Sequence, residues 1–446
     1  MLRDAWTLAI ETLSWIELQR LGERLALNKA TKQLKIKDYR AVGLAHRLVS
    51  ETLRKKNYID FLLNSALAPK SLNDVKLGPR AFLRLYVYET KLADGNLDNA
   101  TKIARMGRSI LGWWDLKDAE EVLGEILSID PEAALQGLEE TEKIALQTYN
   151  PTWFVKYCIK LMGRAEALTF LEKSADIPPV YVRLNTLKAP EESLLKKLEA
   201  EKTVLEKVQP LKHTYKLIET GKPLTRTNSF SQGLFYIQDK ASCLAAEIAD
   251  PQPGNTVLDL CAAPGAKTTY LAQLMENKGK IVSVDYSERR MQVWERETKR
   301  MGVNIAQSMV ADVRKPLPIE TSADLVILDP PCTSTGTFGK TPDAKWRLTK
   351  RSILGMAKIQ SEMIDLCAEY VKDGGFLVYS TCSITLEENE LVIGNFLKMH
   401  PEFKQANTKP KVGLSGLRGL TKCQRLYPHI HDCNGFFVAK LQKEKP

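Results

Sequence analysis

Residues Thr256–Thr268 read TVLDLCAAPGAKT, and this stretch constrains the chain more than any other. Val257-Leu258-Asp259-Leu260 is an apolar run with a carboxylate near its end, the pattern of a buried strand. A turn of small residues follows, Cys261-Ala262-Ala263-Pro264-Gly265-Ala266, and Lys267-Thr268 opens a helical pattern that reaches about Asn277. Strand, small-residue turn and helix is how an α/β sheet presents backbone N–H groups to a ligand at the carboxyl end of a strand.

Two phosphate-binding look-alikes fall short. A P-loop carries a glycine five residues before its Gly-Lys-Thr, whereas here Ala266-Lys267-Thr268 lacks the second glycine and position 261 is cysteine. The G-x-G-x-x-G dinucleotide pattern is missing as well. What survives is an acid: the strand Lys280–Val284 ends at Asp285, twenty positions after Gly265, where nucleotide-binding sheets hold ribose hydroxyls with a carboxylate. An adenosine-containing ligand without a pyrophosphate fits, and S-adenosylmethionine is the natural candidate.

From about Gln238 onward, strand and helix alternate. Strands end near Asp259, Asp285, Asp312 and Asp329, then at Thr381, and a last strand, Gly435–Leu441, closes the sheet. Such alternation predicts a largely parallel sheet with helices on both faces, and function gathered at the strands' carboxyl ends. Before it, residues 146–235 mix prolines (Pro151, Pro178, Pro179) with a strand at Val180–Asn185, a helix at Glu191–Glu201 and short strands at Thr214–Leu217 and Leu234–Ile237, which predicts a small α+β module. Arg183 and Asn185 lie on one face of their strand, suited either to a phosphate or sugar or to the solvated side of an edge strand. Residues 1–145 read as helices, among them Ala5–Leu18, Arg40–Leu53 and one opened by Pro79-Arg80-Ala81.

The 446 residues suffice for two or three domains. Charge is uneven: residues 1–110 carry 20 basic against 11 acidic side chains, residues 111–150 only 2 against 10. The first segment could follow phosphates and the second could not, although solvated basic helix faces explain the excess equally simply. Eight cysteines without close spacings, no signal peptide and no long apolar run predict a reducing cytoplasm, free thiols and no membrane association.

Two further strand ends carry chemistry. Leu328-Asp329-Pro330-Pro331-Cys332 ends a strand in an acid stiffened by two prolines, and Tyr379-Ser380-Thr381-Cys382-Ser383 ends another. Thr385-x-x-Glu388 then reads as a capping box starting the next helix. Two cysteines at two strand mouths beside a methyl-donor pocket suit cytosine C5. That carbon is a poor nucleophile until a thiolate adds to C6. The chemistry needs a thiolate, a carboxyl group supporting charge at N3 and N4, and a base for the C5 proton. Asp329 can supply the carboxyl group. Either Cys332 or Cys382 can attack, and spacing does not choose between them; a single cysteine in such a place is more often a small buried residue.

CAAPGAKT, LDPPCTSTG and YSTCS, in this order and spacing, resemble the Sun (Fmu) family of RNA cytosine-C5 methyltransferases. Gln238–Ser242 (QDKAS), Asp343–Arg347 (DAKWR) and Asn434–Phe437 (NGFF) agree. The likeness is strong over about 150–446, and the first 140 residues resemble more weakly a NusB-type RNA-binding domain. The resemblance implies a Rossmann-like methyltransferase fold at 236–446, an α+β RNA-binding module at 146–235 and an all-helical NusB-like domain at 1–145. By the same resemblance Cys382 is the nucleophile, and Cys332 assists release of product. Cys261, Ala262, Ala263, Pro264, Gly265, Ala266 and Lys267 line S-adenosylmethionine. Asp285 holds its ribose, Arg290 also binds the cofactor, Asp312 lies near the adenine, and Asp329 sits between cofactor and base. The implied substrate is ribosomal RNA, with transfer RNA as the alternative, a non-catalytic RNA-binding assembly factor as the competing class, and a monomer as the default state. Where the family usually has Gly-Gly-Lys, this chain has Gly265-Ala266-Lys267, which is harmless if Ala266 already has helical dihedrals. Cys423, His429, His431 and Cys433 match no common zinc spacing, so no metal is expected. His431 is expected to pack near the active site.

Overall fold

The computed structural model describes residues 1–93, 97–320 and 322–445, and they fall into two units. The first comprises Met1–Asp176 together with Phe338–Arg347. Its helices include Leu2–Gln19, Tyr39–Arg54, Lys56–Leu67 and Leu77–Val87, each turning an apolar face to one core that contains Trp6, Ile10, Leu48, Ile59, Leu62, Phe82 and Leu85. Helices Thr152–Met162 and Arg164–Ser174 belong to this unit too, so helical structure runs past the predicted boundary at 145. The Pro151 that marks a break in the sequence is the N-cap of the first of these helices, and proline there costs no hydrogen bond.

The DAKWR segment caps a helix in this unit. Helix Tyr39–Arg54 ends with carbonyls that no intrahelical amide can satisfy. Trp346 Nε1 donates to Leu53 O at 2.6 Å, and Lys345 Nζ donates to Arg54 O at 2.8 Å and to Tyr149 O at 2.5 Å. A lysine suits the negative end of the helix dipole, while its burial pushes its pKa well below the ordinary value.

The second unit comprises Ile177–Thr337 and Leu348–Pro446 and holds two sheets. The smaller has strands β1 (Tyr181–Leu184), β2 (Thr203–Lys207), β3 (Thr214–Thr220) and β4 (Phe235–Ile237) in the order β2-β3-β1-β4. Because β1 is an inner strand, Arg183 and Asn185 are neither solvated nor available to a phosphate. Arg183 donates to Gln273 Oε1 (3.0 Å) and Thr269 Oγ1 (2.8 Å), and Asn185 to Gly233 O and Met301 O, both at 2.8 Å. These buried polar side chains fasten the small sheet to the helices of the large one, which corrects both sequence readings of them.

The larger sheet contains β5 (Thr256–Leu260), β6 (Lys280–Asp285), β7 (Ala306–Val310), β8 (Ala323–Leu328), β9 (Val371–Thr381), β10 (Phe403–Gln405), β11 (Leu414–Ser415), β12 (Gln424–Leu426) and β13 (Phe436–Lys443). Its order is β11-β12-β13-β9-β8-β5-β6-β7, with β10 pairing β13. Strands β5 to β9 run parallel, and β13 lies antiparallel to β9. Their near-continuous apolar runs, such as Leu325–Leu328 and Leu377–Tyr379, are buried on both faces, as a helix-covered parallel sheet requires. The switch in strand order between β5 and β8 is where such a sheet opens a crevice at its carboxyl end.

Candidate active site

Residues after β5 form the first wall. Cys261 (φ +64°) and Gly265 (φ +104°) both take left-handed backbone, and the helix starts at Ala266. Ala266 is therefore a first-turn helical residue, and its methyl group costs nothing there. Gly265 is needed: a Cβ on it would meet Trp294 Cδ1 at 3.2 Å, in a conformation that side chains disfavour. Ala262 N donates to Val284 O at 2.9 Å and Ala263 N to Asp285 Oδ2 at 3.3 Å, which ties the turn to the end of β6. Arg290 pairs with Asp285 at 3.0 Å and donates to Ala263 O.

The turn fits a sulfonium nucleoside, which brings an ammonium group and a ribose diol and so needs acceptors. Asp259 is fully buried, accepts from Thr268 Oγ1 at 2.5 Å through Oδ2, and leaves Oδ1 without a hydrogen-bond partner. Burial pushes its pKa up to about 7, and a cationic group nearby would return it to the charged form. Asp285 supplies the second carboxylate. Asp312 lies two residues beyond β7 and is engaged by Arg314, at 3.0 and 2.7 Å.

The exits of β8 and β9 form the second wall. Asp329 Oδ2 accepts from Lys267 Nζ at 2.5 Å, and Oδ1 accepts from Ser380 Oγ at 3.0 Å. One carboxylate thus joins the helix after β5 to the ends of β8 and β9. Burial alone would lower the Lys267 pKa, but Asp329 outweighs it and holds the ammonium above its ordinary value. Cys332 Sγ and Cys382 Sγ stand 3.1 Å apart, both half-buried. A hydrogen bond from the Cys332 thiol pulls the Cys382 pKa below that of an ordinary thiol, with Ser334 and Lys267 acting the same way against burial and Asp329. Cys332 moves in the opposite direction, chiefly because it is that donor. The hydrogen bond between the two sulfurs thus makes Cys382 the easier of the pair to ionise and Cys332 the harder.

Glu388 is the residue that sequence reasoning misassigned. Thr385 Oγ1 does donate to it at 2.8 Å, but the next helix begins at Glu390 with Asn389 as its N-cap, so the pair does not start a helix. Glu388 is fully buried and also accepts from Thr333 N (2.8 Å), Thr333 Oγ1, Gln360 Nε2 (3.0 Å) and Ser383 Oγ (2.6 Å). It pins the loop behind Cys332 to the loop behind Cys382. The only sequence signal was that Thr-x-x-Glu spacing, which has the same local look whether the turn is exposed or buried.

Glycine completes the wall. Gly336 N donates to Cys382 O at 3.0 Å, and Gly435 N donates to Gly336 O at 2.8 Å. A Cβ on Gly336 would lie 2.1 Å from Gly435 O, a backbone atom that cannot swing away. Gly336→Ala is expected to lower stability by about 3 kcal/mol, read as a fall in the thermal midpoint, and to reduce methyl transfer by displacing Cys382; an unshifted midpoint would remove this close approach as a constraint.

Pro428–His431 is one helical turn rather than an extended segment, and His431 Nδ1 accepts from Tyr427 N at 2.9 Å. Among the described residues no group of three or more metal-ligating side chains comes together, and no helix is long and apolar enough to cross a membrane.

Comparison with known proteins gives the family. The family model described as 16S rRNA methyltransferase RsmB/F matches residues 246–442. A Bacillus subtilis protein named as a probable ribosomal RNA small subunit methyltransferase B is 30% identical, with 98% of each chain covered. The chain belongs to the RsmB/F methyltransferase family. It is accordingly an S-adenosylmethionine-dependent RNA cytosine-C5 methyltransferase. The solved structure of PH0851 superposes on all of this chain and 99% of its own, with a TM-score of 0.84 and 30% identity. A tRNA (cytosine(72)-C(5))-methyltransferase of Pyrococcus horikoshii is 36% identical over 50% of this chain and 56% of its own.

Proposed function

We propose that this RsmB/F-family enzyme methylates C5 of a cytosine in ribosomal RNA through a covalent adduct between Cys382 and C6. The observation that carries the reading is the pair of sulfurs 3.1 Å apart, beside an Asp329 carboxylate that is bonded to the cofactor turn through Lys267. Full-length similarity to the Bacillus subtilis protein, helical region included, favours ribosomal RNA; the Pyrococcus horikoshii transfer RNA enzyme shares only half of this chain.

Cys382, as the anion, adds to C6 and leaves C5 enamine-like, while Asp329 bears on the charge that builds at N3 and N4. S-adenosylmethionine, held by the turn 261–267 with Asp285 and Arg290, supplies the electrophilic methyl group. Once Cys382 Sγ is bonded to carbon, the anion that kept the proton on Cys332 is gone. Cys332 can then lose its proton to solvent and take the C5 proton in its place, and elimination returns Cys382 as the thiolate. The target base has to leave any stack to reach the thiols. Basic side chains of the helical region and the 146–235 module add sequence-independent affinity for RNA. A monomer with eight free thiols suits a reducing cytoplasm.

Asp329→Asn should keep the size of the side chain and lose the charge, lowering turnover about a hundredfold or more. Turnover within a few-fold of wild type, measured with tritiated cofactor on saturating RNA, would take Asp329 out of the mechanism. Bisulfite mapping of 5-methylcytosine in cells with and without the protein tests the substrate. A site that disappears from transfer RNA instead of ribosomal RNA reverses the assignment.

A further inference from the structure

Ser334 stands beside the two thiols. Its Oγ lies 3.4 Å from Cys382 Sγ and 3.9 Å from Cys332 Sγ. Its backbone is left-handed, φ +56°, a conformation that serine adopts only at a cost. The chain on both sides is pinned. Thr333 N is held by Glu388, Thr335 Oγ1 is 2.9 Å from Ser383 Oγ and accepts from Ile384 N at 3.0 Å, and Gly336 N is bonded to the carbonyl of Cys382 itself. A strained residue fixed by its surroundings beside reactive groups points to use rather than accident. The hydroxyl is thereby presented to the sulfur that the reaction needs as an anion.

We propose that Ser334 is a catalytic residue whose hydroxyl donates a hydrogen bond to the Cys382 thiolate and sets how much of that thiolate exists at neutral pH. The proposal rests on Cys382 being the nucleophile. Proton accounting is simple: the thiol form of Cys382 donates to Ser334 Oγ, the thiolate accepts from it, and the proton that Cys382 loses goes to solvent. The charged and titratable groups facing Cys382 are Cys332 and Asp329 from the β8 exit and Lys267 from the helix after the turn, with Glu388 behind Cys332. Lys267 favours the thiolate and Asp329 opposes it, and these two are paired with each other. The neutral donors Cys332 and Ser334 are left to tip the balance, and hydrogen bonds to an anion are the strong ones.

The test is the pH dependence of iodoacetamide alkylation at Cys382, resolved from Cys332 by peptide mass mapping, in full-length wild type, S334A and S334G. Glycine relieves the left-handed backbone, so S334G removes the hydroxyl without straining the fold. In both variants the Cys382 midpoint is expected to rise by about one pH unit. Methylation at neutral pH should fall about tenfold and recover at alkaline pH, as one unit of midpoint requires. An unmoved Cys382 midpoint in S334G overturns the proposal, whatever happens to turnover. C382A run alongside separates the two readings: full methylation by C382A overturns the nucleophile assignment and with it the catalytic meaning of Ser334, even if the midpoint moves.

Discussion

Replacing Cys382 with alanine is expected to leave less than about a thousandth of wild-type methylation. Without sulfur addition at C6, C5 stays too poor a nucleophile to accept a methyl group, and a Cys332 that attacked in its place would leave no second thiol to take the C5 proton. The side chain is small and half-buried, so the protein should still fold and bind cofactor, which calorimetric titration would confirm. Cys332→Ala is expected to give a different phenotype. Attack and methyl transfer remain possible, but the C5 proton has no acceptor, so a covalent RNA–protein band should accumulate on a denaturing gel. Its formation should also be slower at neutral pH and recover as pH rises, since the hydrogen bond from Cys332 lowers the Cys382 pKa and its loss lets that pKa climb. An adduct that needs Cys332 and survives Cys382→Ala would exchange the two roles.

Glu388→Ala is expected to cost about 4 kcal/mol of stability together with most of the activity. The fully buried carboxylate accepts from Thr333, Gln360, Ser383 and Thr385, and truncation would strand those donors away from water. Hydroxyls can turn to other acceptors, but the amide of Thr333 cannot, so the loop carrying Cys332 should loosen first. Glu388→Gln keeps the shape and loses the charge, and an amide nitrogen placed among donors repels at least one of them. It should be intermediate in thermal midpoint. If Glu388→Ala unfolds at the wild-type midpoint, the tie between the two loops is not what holds them.

Much of the site was legible because strand–turn–helix units are local. The turn 261–267, the acid at Asp285 and the motif ends at Asp329, Cys332 and Cys382 each follow from a run of neighbours whose apolar pattern reports where a strand stops. What lies between elements was not legible. Arg183 looked like a surface side chain because a four-residue strand does not reveal whether another strand pairs beyond it. β2 was not anticipated, β3 and β4 flank β1 on either side, and the guanidinium is covered by the rings of Tyr236 and Tyr270 and bonded to Thr269 and Gln273. Glu388 looked like a helix cap because the same Thr-x-x-Glu contact forms in a buried turn.

Sequence alone determined the class of sheet, the order of its strands along the chain and the residue types at their carboxyl ends, because these depend on periodicity and on what small residues and prolines allow the backbone to do. Only the tertiary structure decided that Cys332 and Cys382, fifty residues apart in the chain, stand 3.1 Å apart, and that Asp329 reaches Lys267. Those contacts depend on β5, β8 and β9 lying side by side in register, and such pairing is a property of distant segments packing together that no local pattern encodes.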